Sequence, residues 1–356
     1  VPSYNAVVMI SLRLVFIISV LFTLFWSCKP EQTYVTLQGK TMGTYYKITF
    51  EDKKNTISQK AIDSVLTEVN LSMSTYIKES TISKFNYSKD TVFCFLNNED
   101  PYFEVVFDKS KEVFIKSRKA FNPAIMPLVN YYGFGYEKSK KIEKLDTNFI
   151  QKTLPKINFD DITLKVSGDT VCLYKKFPDS KIDFSAIAKG YGVDLVASFL
   201  EQKNIRNFMV EIGGELITKG VSDRNESWVV GISRPSENAE LAEVELLLSV
   251  SNVSMATSGN YRNFYESKGQ KFAHIIDPFT GLNRPTDILS TTVIAPDCMT
   301  ADAYATAFMI LGLEQAMEVC EENKELEACF IYDLEGDGVF EFKMTSGFKK
   351  YMLNKE

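Results

Sequence analysis

The sequence predicts an α+β fold in which mixed, largely antiparallel sheets carry flanking helices and intertwined subdomains enclose a cleft. Three observations lead there. Between residues 162 and 296, strand-like segments follow one another with one helical stretch among them. Outside that region, apolar residues recur at helical spacing. No internal repeat, low-complexity tract or linker divides the chain, and its 356 residues, 45% hydrophobic and 13% aromatic, suffice for one large core.

Residues 1–28 are of another kind. The eight residues before Met9 read as lying upstream of the true start, and Arg13 precedes the apolar run "LVFIISVLFTLFW" from Leu14 to Trp26. Thirteen residues of helix rise only about 20 Å, short of a hydrocarbon core of roughly 30 Å. A secretory signal is therefore expected rather than a spanning helix. Ser27–Cys28 followed by the polar "KPEQT" resembles a bacterial lipoprotein signal with Cys28 lipidated. The expected product is exported and lipid-anchored to a bacterial membrane on its periplasmic or cell-surface side, with residues 29–356 as a single domain.

From Tyr34 to Phe50 the alternation predicts a strand pair broken at Gly39 and Gly43. "SQKAIDSVLTEVNLSMS" then places Ile62, Val65, Leu66 and Val69 on one helical face. A second amphipathic helix is expected over 101–120, with Pro101 near its first turn. "FNPAIMPLVNYYGFG" after it, punctuated by Pro and Gly, reads as a rigid loop. Strands are expected at 162–166, 170–174 and 181–184, followed by a helix from Ser185 as N-cap, with Ala186 and Ile187 in its first turn. Strands at 207–212, 215–220, 227–232, 243–257, 261–266, 272–276 and 289–296 lead to an alanine-rich helix. A final helix and hairpin close the chain.

A net charge of −6 without a Lys/Arg stripe argues against a nucleic-acid surface. No GxGxxG, Walker A or HExxH pattern is present. "DLEGDG" (333–338) imitates half a calcium loop, but Met344 stands where the bidentate Glu belongs, so strand, acidic turn, strand is the simpler reading. Beyond Cys28 there are five scattered cysteines and no CxxC pair. This argues against a disulfide framework or a zinc site and makes most of them buried small hydrophobes.

Four stretches hold polar groups in apolar settings: "GKTMGTYYKI" (39–48), "NLSMSTYIKESTISKFN" (70–86), "KIDFSAIAKGYGVD" (181–194) and "HIIDPFTG" (274–281), the last leading to "MTADAYATAF" (299–308). In the alanine-rich helix, Asp302 and Thr306 are four residues apart, so one face can aim two oxygens at one cation. A carboxylate near a helix start is also favoured by the dipole. Read alone, Asp183 is a helix-capping Asp, Lys189 a solvated lysine, and Met42 and Tyr76 packing residues. The one histidine, His274, is either a hydrogen-bonded structural residue or, with an ordinary pKa near 6.5, a general base.

Together and in this order, from about Gly39 to Gly312, these stretches resemble the FAD:protein FMN transferase family, the ApbE-type lipoproteins. The resemblance implies a flavin-binding cleft and magnesium-dependent transfer of the FMN moiety of FAD to a Thr or Ser hydroxyl of a target redox protein, releasing AMP. Hydrolysis of FAD to FMN and AMP, or flavin binding without turnover, are the alternatives. It assigns Mg²⁺ to Asp302, Thr306 and the main-chain oxygen of Ala186. FAD contacts fall to Met42, Tyr76, Ala120, Phe121, Asn122, Asp183, Lys189 and Ile276, and the general base to His274. It implies FAD and acceptor subunits of membrane or exported redox complexes as partners. Two positions depart from the pattern, Asn122 where an acidic residue is usual and Met126 where a glycine precedes "PLV".

Overall fold

The structure is a computed structural model that describes residues 34–54, 56–137, 142, 145–235, 243–259, 264–267, 270–283, 288–333 and 339–353. Cys28, with the whole leader, and most of the "DLEGDG" segment lie outside the described residues.

The chain opens with β1 (Tyr34–Thr41) and β2 (Thr44–Glu51), paired antiparallel with Thr41 opposite Thr44. Met42 and Gly43 form the two-residue connection with φ of 49° and 73°, the double positive φ that a type I′ hairpin demands. Helix α1 (Gln59–Met73) starts at Ser58, whose hydroxyl accepts from Ala61 N, and buries Ile62, Leu66 and Val69 as the periodicity predicts. Then follow α2 (Thr81–Tyr87), β3 (Val92–Leu96), α3 (Phe103–Lys116), α4 (Met126–Tyr131), α5 (Thr147–Thr153), β4 (Ile162–Ser167) and β5 (Thr170–Lys175). After α6 (Ala188–Gln202) come β6 (Phe208–Ile212), β7 (Glu215–Lys219), β8 (Trp228–Ser233), β9 (Val244–Val250), β10 (Val253–Gly259), β11 (Phe264–Ser267), β12 (Gln270–Ala273) and β13 (Ile288–Ala295). Helix α7 (Cys298–Glu322), β14 (Glu327–Tyr332) and β15 (Glu341–Met344) complete the order. Gly312, at φ 77°, kinks α7, so the expected final helix is the segment beyond that kink.

An eight-stranded sheet in the order β1-β2-β6-β7-β10-β13-β14-β15 organises the molecule, and every neighbouring pair in it is antiparallel. Alternation along its strands separates two cores. In β14, Ala328 and Phe330 face the helices, while Cys329 and Ile331 face the β8–β9 ribbon with Trp228, Ile232 and Leu248. Between β2 and β6 the chain leaves this sheet to build a smaller one, β3-β5-β4. A shared core rejoins the two, with Phe159 and Leu173 of the smaller layer in one cluster with Ala301 and Phe308 of α7. This is the expected mixed, antiparallel, helix-flanked architecture.

Four local expectations are corrected. Residues 121–135 are not all loop, because Pro123 and Pro127 sit at first-turn positions where a missing N–H is harmless, and a 3₁₀ turn leads into α4. Residues 181–184 are not a strand. The 243–257 segment is two strands, β9 and β10, separated by a turn in which Asn252 has φ 56°. The helix expected from Ser185 begins at Ala188, because Ser185 does not cap: its N–H and hydroxyl both donate to Asp183 Oδ1, at 2.9 and 2.6 Å.

A fifth correction concerns the cysteines. Cys94 and Cys172 face each other across β3 and β5 and form a disulfide spanning 78 residues of sequence, while Cys298, Cys320 and Cys329 are buried and free as expected. Linear spacing hides a cross-strand pair because the register, not the sequence, makes the neighbours. Closing so long a loop restricts the unfolded chain, so reduction, or the double substitution Cys94→Ser/Cys172→Ser, is expected to lower the unfolding free energy by about 2–4 kcal/mol. Urea denaturation with and without dithiothreitol measures this.

Candidate active site

A cavity of about 770 Å³ is lined by one side of the large sheet and by the helices and loops that cover it. Its walls are drawn from distant parts of the chain. The β1–β2 turn brings Met42, the segment after α1 brings Tyr76, and the segment after α3 brings Ala120, Phe121 and Asn122. The approach to α6 brings Asp183, Ala186 and Lys189, the segment after β12 brings His274 and Ile276, and α7 brings Asp302 and Thr306. Every site residue singled out in the sequence, Cys28 apart, lines this one space.

The innermost wall is where α6 and α7 meet, and each helix caps the other. Asp194 of α6 accepts from the first two amides of α7, Cys298 N and Met299 N, both at 2.9 Å. Asp302 of α7 returns the bond, its Oδ2 accepting from Gly190 N at 3.0 Å. In a continuous helix Gly190 N would reach the carbonyl four residues back, that of Ala186. Here the helix starts at Ala188, so Gly190 N is a first-turn donor that Asp302 satisfies, and the Ala186 carbonyl stands ahead of the helix at the cavity edge. Gly190 is required by space, since a Cβ there would collide with the Cys298 carbonyl and lie 2.7 Å from Met299 Cα. Close backbone approach is thus a condition of the site.

Charge is concentrated at the same place. Lys189 Nζ lies 3.2 Å from Glu215 Oε1 and 3.6 Å from Asp302 Oδ1, and both carboxylates are buried. Burial lowers the Lys189 pKa, but the two carboxylates more than reverse this and hold it above the ordinary lysine value. Burial pushes Glu215 up against the opposing pull of Lys189, with Asp302 adding to the rise. Burial also raises Asp183, half-buried at the wall, although its bonds from Ser185 resist the shift. Hydroxyls continue the oxygen surface outward, with Ser258 Oγ and Thr306 Oγ1 3.2 Å apart.

The remaining wall is apolar and aromatic. Met42 holds its left-handed turn conformation while its Cε packs on α6, and a Cβ on Gly192 would sit 2.9 Å from that atom. Tyr76 is 68% exposed at the mouth, with its hydroxyl donating to Phe134 O at 3.1 Å. Ala120 and Phe121 are buried after two residues of positive φ, Arg118 and Lys119, that turn the chain out of α3. Asn122 spends its amide locally, accepting from Ala124 N at 3.0 Å and donating to Ile157 O at 2.8 Å. Asp277 fixes the turn after His274 by accepting from Phe279 N and the Thr280 hydroxyl, at 2.8 and 2.7 Å.

Sequence reasoning missed Glu215. The signal was present in "VEIGGELI", where an acid follows a Gly-Gly turn into an apolar strand, but nothing local says that Lys189 lies opposite. Among the described residues, no group of three or more His, Cys, Asp or Glu side chains is arranged to hold a metal.

Two outcomes follow from the helix contact. Gly190→Ala should destabilise the protein by about 1–3 kcal/mol, as overpacking does, and distort the cavity edge; thermal unfolding and flavin titration check this. The second is a pH dependence. Burial pushes the Asp194 carboxyl up to about 7 in spite of its two amide bonds, whereas the unfolded group ionises at about 3.9. Between these values the native state holds the extra proton, so stability from this group is present below about pH 4 and is lost as pH rises towards 7. Asp194→Asn should flatten that part of a plot of unfolding free energy against pH.

The sequence pattern of the ApbE family matches residues 42–330. The chain is 36% identical over 335 residues to the FAD:protein FMN transferase of Haemophilus influenzae, covering 93% of this chain and 95% of that protein. It is 34% identical over 330 residues to that of Vibrio cholerae, covering 91% and 95%. In three dimensions it is similar to the flavin transferase ApbE from Vibrio cholerae, with a TM-score of 0.77 at 33% identity over 90% of this chain and 99% of that one. The chain belongs to the ApbE family.

Proposed function

We propose that the protein transfers the FMN moiety of FAD to a Thr or Ser hydroxyl of an acceptor subunit of a membrane or exported redox complex, releasing AMP. One observation carries this reading. Residues separated by up to 264 positions in sequence, from Met42 to Thr306, share one cavity with an apolar, aromatic wall for a ring system and a charged inner wall for a diphosphate.

The donor set fits a magnesium ion. Asp302 supplies a buried carboxylate, Thr306 a hydroxyl and Ala186 a main-chain carbonyl ahead of α6, so all three donors are hard oxygens. A set with one carboxylate suits Mg²⁺, which completes its shell with waters and substrate phosphates. When bound, it would neutralise charge on the diphosphate during phosphoryl transfer.

The chain's own residues do the rest. Met42 and Tyr76 flank the flavin, with main-chain contacts from Ala120, Phe121 and Ile276. Asn122, its amide engaged locally, shapes the loop there more than it reaches outward. Lys189 offers its ammonium to a phosphate oxygen, and Asp183 accepts from the isoalloxazine edge or orients the turn that carries Ala186. The acceptor hydroxyl attacks the FMN phosphorus, its P–O bond forms as the bond to AMP breaks, and AMP leaves with the bridging oxygen. His274 takes the hydroxyl proton.

We further propose that the protein is exported and lipid-anchored through Cys28. The Cys94–Cys172 disulfide supports an oxidising compartment.

The test is to incubate the protein with FAD, Mg²⁺ and a candidate acceptor and read acceptor mass. An FMN-sized increment is expected, abolished by EDTA and by Asp302→Ala, and slowed about a hundredfold or more by His274→Ala. AMP without a modified acceptor would indicate hydrolysis, and no AMP a flavin-binding protein without turnover.

A further inference from the structure

We propose that Glu215 is a positioning residue for the transfer: by giving the Lys189 ammonium a partner of its own, it keeps Asp302 available to a divalent cation. This rests on the cation reading of Asp302 above.

The backbone is built to place Glu215 there. Gly213 and Gly214 have φ of 66° and 110°, and the turn they make delivers Glu215 as the first residue of β7 to the floor beneath Lys189. A Cβ on Gly213 would lie 2.8 Å from Thr44 Cγ2 and 3.4 Å from Glu215 Oε2, so space as well as φ requires glycine. The Glu215 side chain is 4% exposed and that of Asp302 3%, with a single ammonium between them. That ammonium is nearer to Glu215, at 3.2 Å, than to Asp302, at 3.6 Å. Moreover, Glu215 Oε2 is buried and makes no hydrogen bond.

These facts describe an ion pair with spare capacity. The Lys189 side chain is half-buried, at 25% exposure, and faces two buried carboxylates, so its ammonium stays paired with one or the other. Without Glu215, the nearest carboxylate is Asp302, and the ammonium would settle where a divalent cation has to bind. With Glu215 present, Lys189 can close onto the unpartnered Oε2 as a second positive charge arrives at Asp302. Glu215 therefore acts through Lys189 and need not touch substrate or metal.

Mn²⁺ serves as the probe, its binding to the whole chain titrated by electron paramagnetic resonance with FAD present and no acceptor. Glu215→Gln is expected to weaken Mn²⁺ binding by about tenfold or more, the range seen when a residue supporting a metal ligand is removed. In a Lys189→Met background the same substitution should cause no further loss, since its intermediary is gone. Unchanged Mn²⁺ affinity in Glu215→Gln would overturn the proposal, as would an equal loss in the Lys189→Met background, which would mark a direct ligand or a merely structural residue. Should Glu215→Gln not fold, Glu215→Asp decides: with its charge one methylene farther back it should bind Mn²⁺ with intermediate affinity, and full wild-type affinity would overturn the idea. Failure of the unsubstituted protein to bind Mn²⁺ would instead remove the cation reading itself, and this proposal with it.

Discussion

The reciprocal capping of α6 and α7 is the contact on which the rest of the site depends. Two carboxylates, Asp194 and Asp302, each satisfy backbone amides of the opposite helix. Helix N-termini carry unsatisfied donors and partial positive charge, so a carboxylate from a neighbour is a favourable partner for them. Because the partners are mutual, the two N-termini are fixed against each other in depth as well as direction. Gly190 makes the approach sterically possible, and Gly192, one turn surface away, leaves room for Met42. The inner wall of the cavity is thus a by-product of how two helix ends solve their hydrogen-bonding problem.

That solution also sets the electrostatics. Asp302 uses one oxygen for Gly190 and turns the other towards Lys189, so the same residue joins the packing of the helices to the chemistry of the cleft. Two buried carboxylates facing one ammonium leave an excess of negative charge in the wall. The hydroxyls of Ser258 and Thr306 extend the oxygen surface without adding charge.

The large antiparallel sheet supplies the rigidity these contacts need. One face carries the helices and the other the β8–β9 ribbon, so β7, β10, β13 and β14 are packed on both sides. The smaller sheet, stapled by Cys94–Cys172, shares its core with α7. The lining is drawn both from the excursion between β2 and β6, with Tyr76, Phe121 and Lys189, and from later elements, with Glu215, Ser258 and Asp302.

Much of this was legible in the linear order of residues. Alternation and helical spacing located β1, β2, α1, α3, β4 and β5 to within a few residues, because those patterns record which face of an element is buried. The ordered motifs named the cavity residues, since a site of this family is carried by short stretches whose side chains must stay in register with one another. What the linear order did not contain were pairings between remote positions. Cys94 meets Cys172 only through the register of β3 and β5, and Lys189 meets Glu215 only through the packing of α6 on the large sheet. The start of α6 moved from Ser185 to Ala188 because Asp183 captured the serine and Asp302 captured the amide of Gly190. Periodicity is a local property that each segment bears alone, whereas a disulfide, an ion pair or a shared cap exists only once folding has brought two distant segments together.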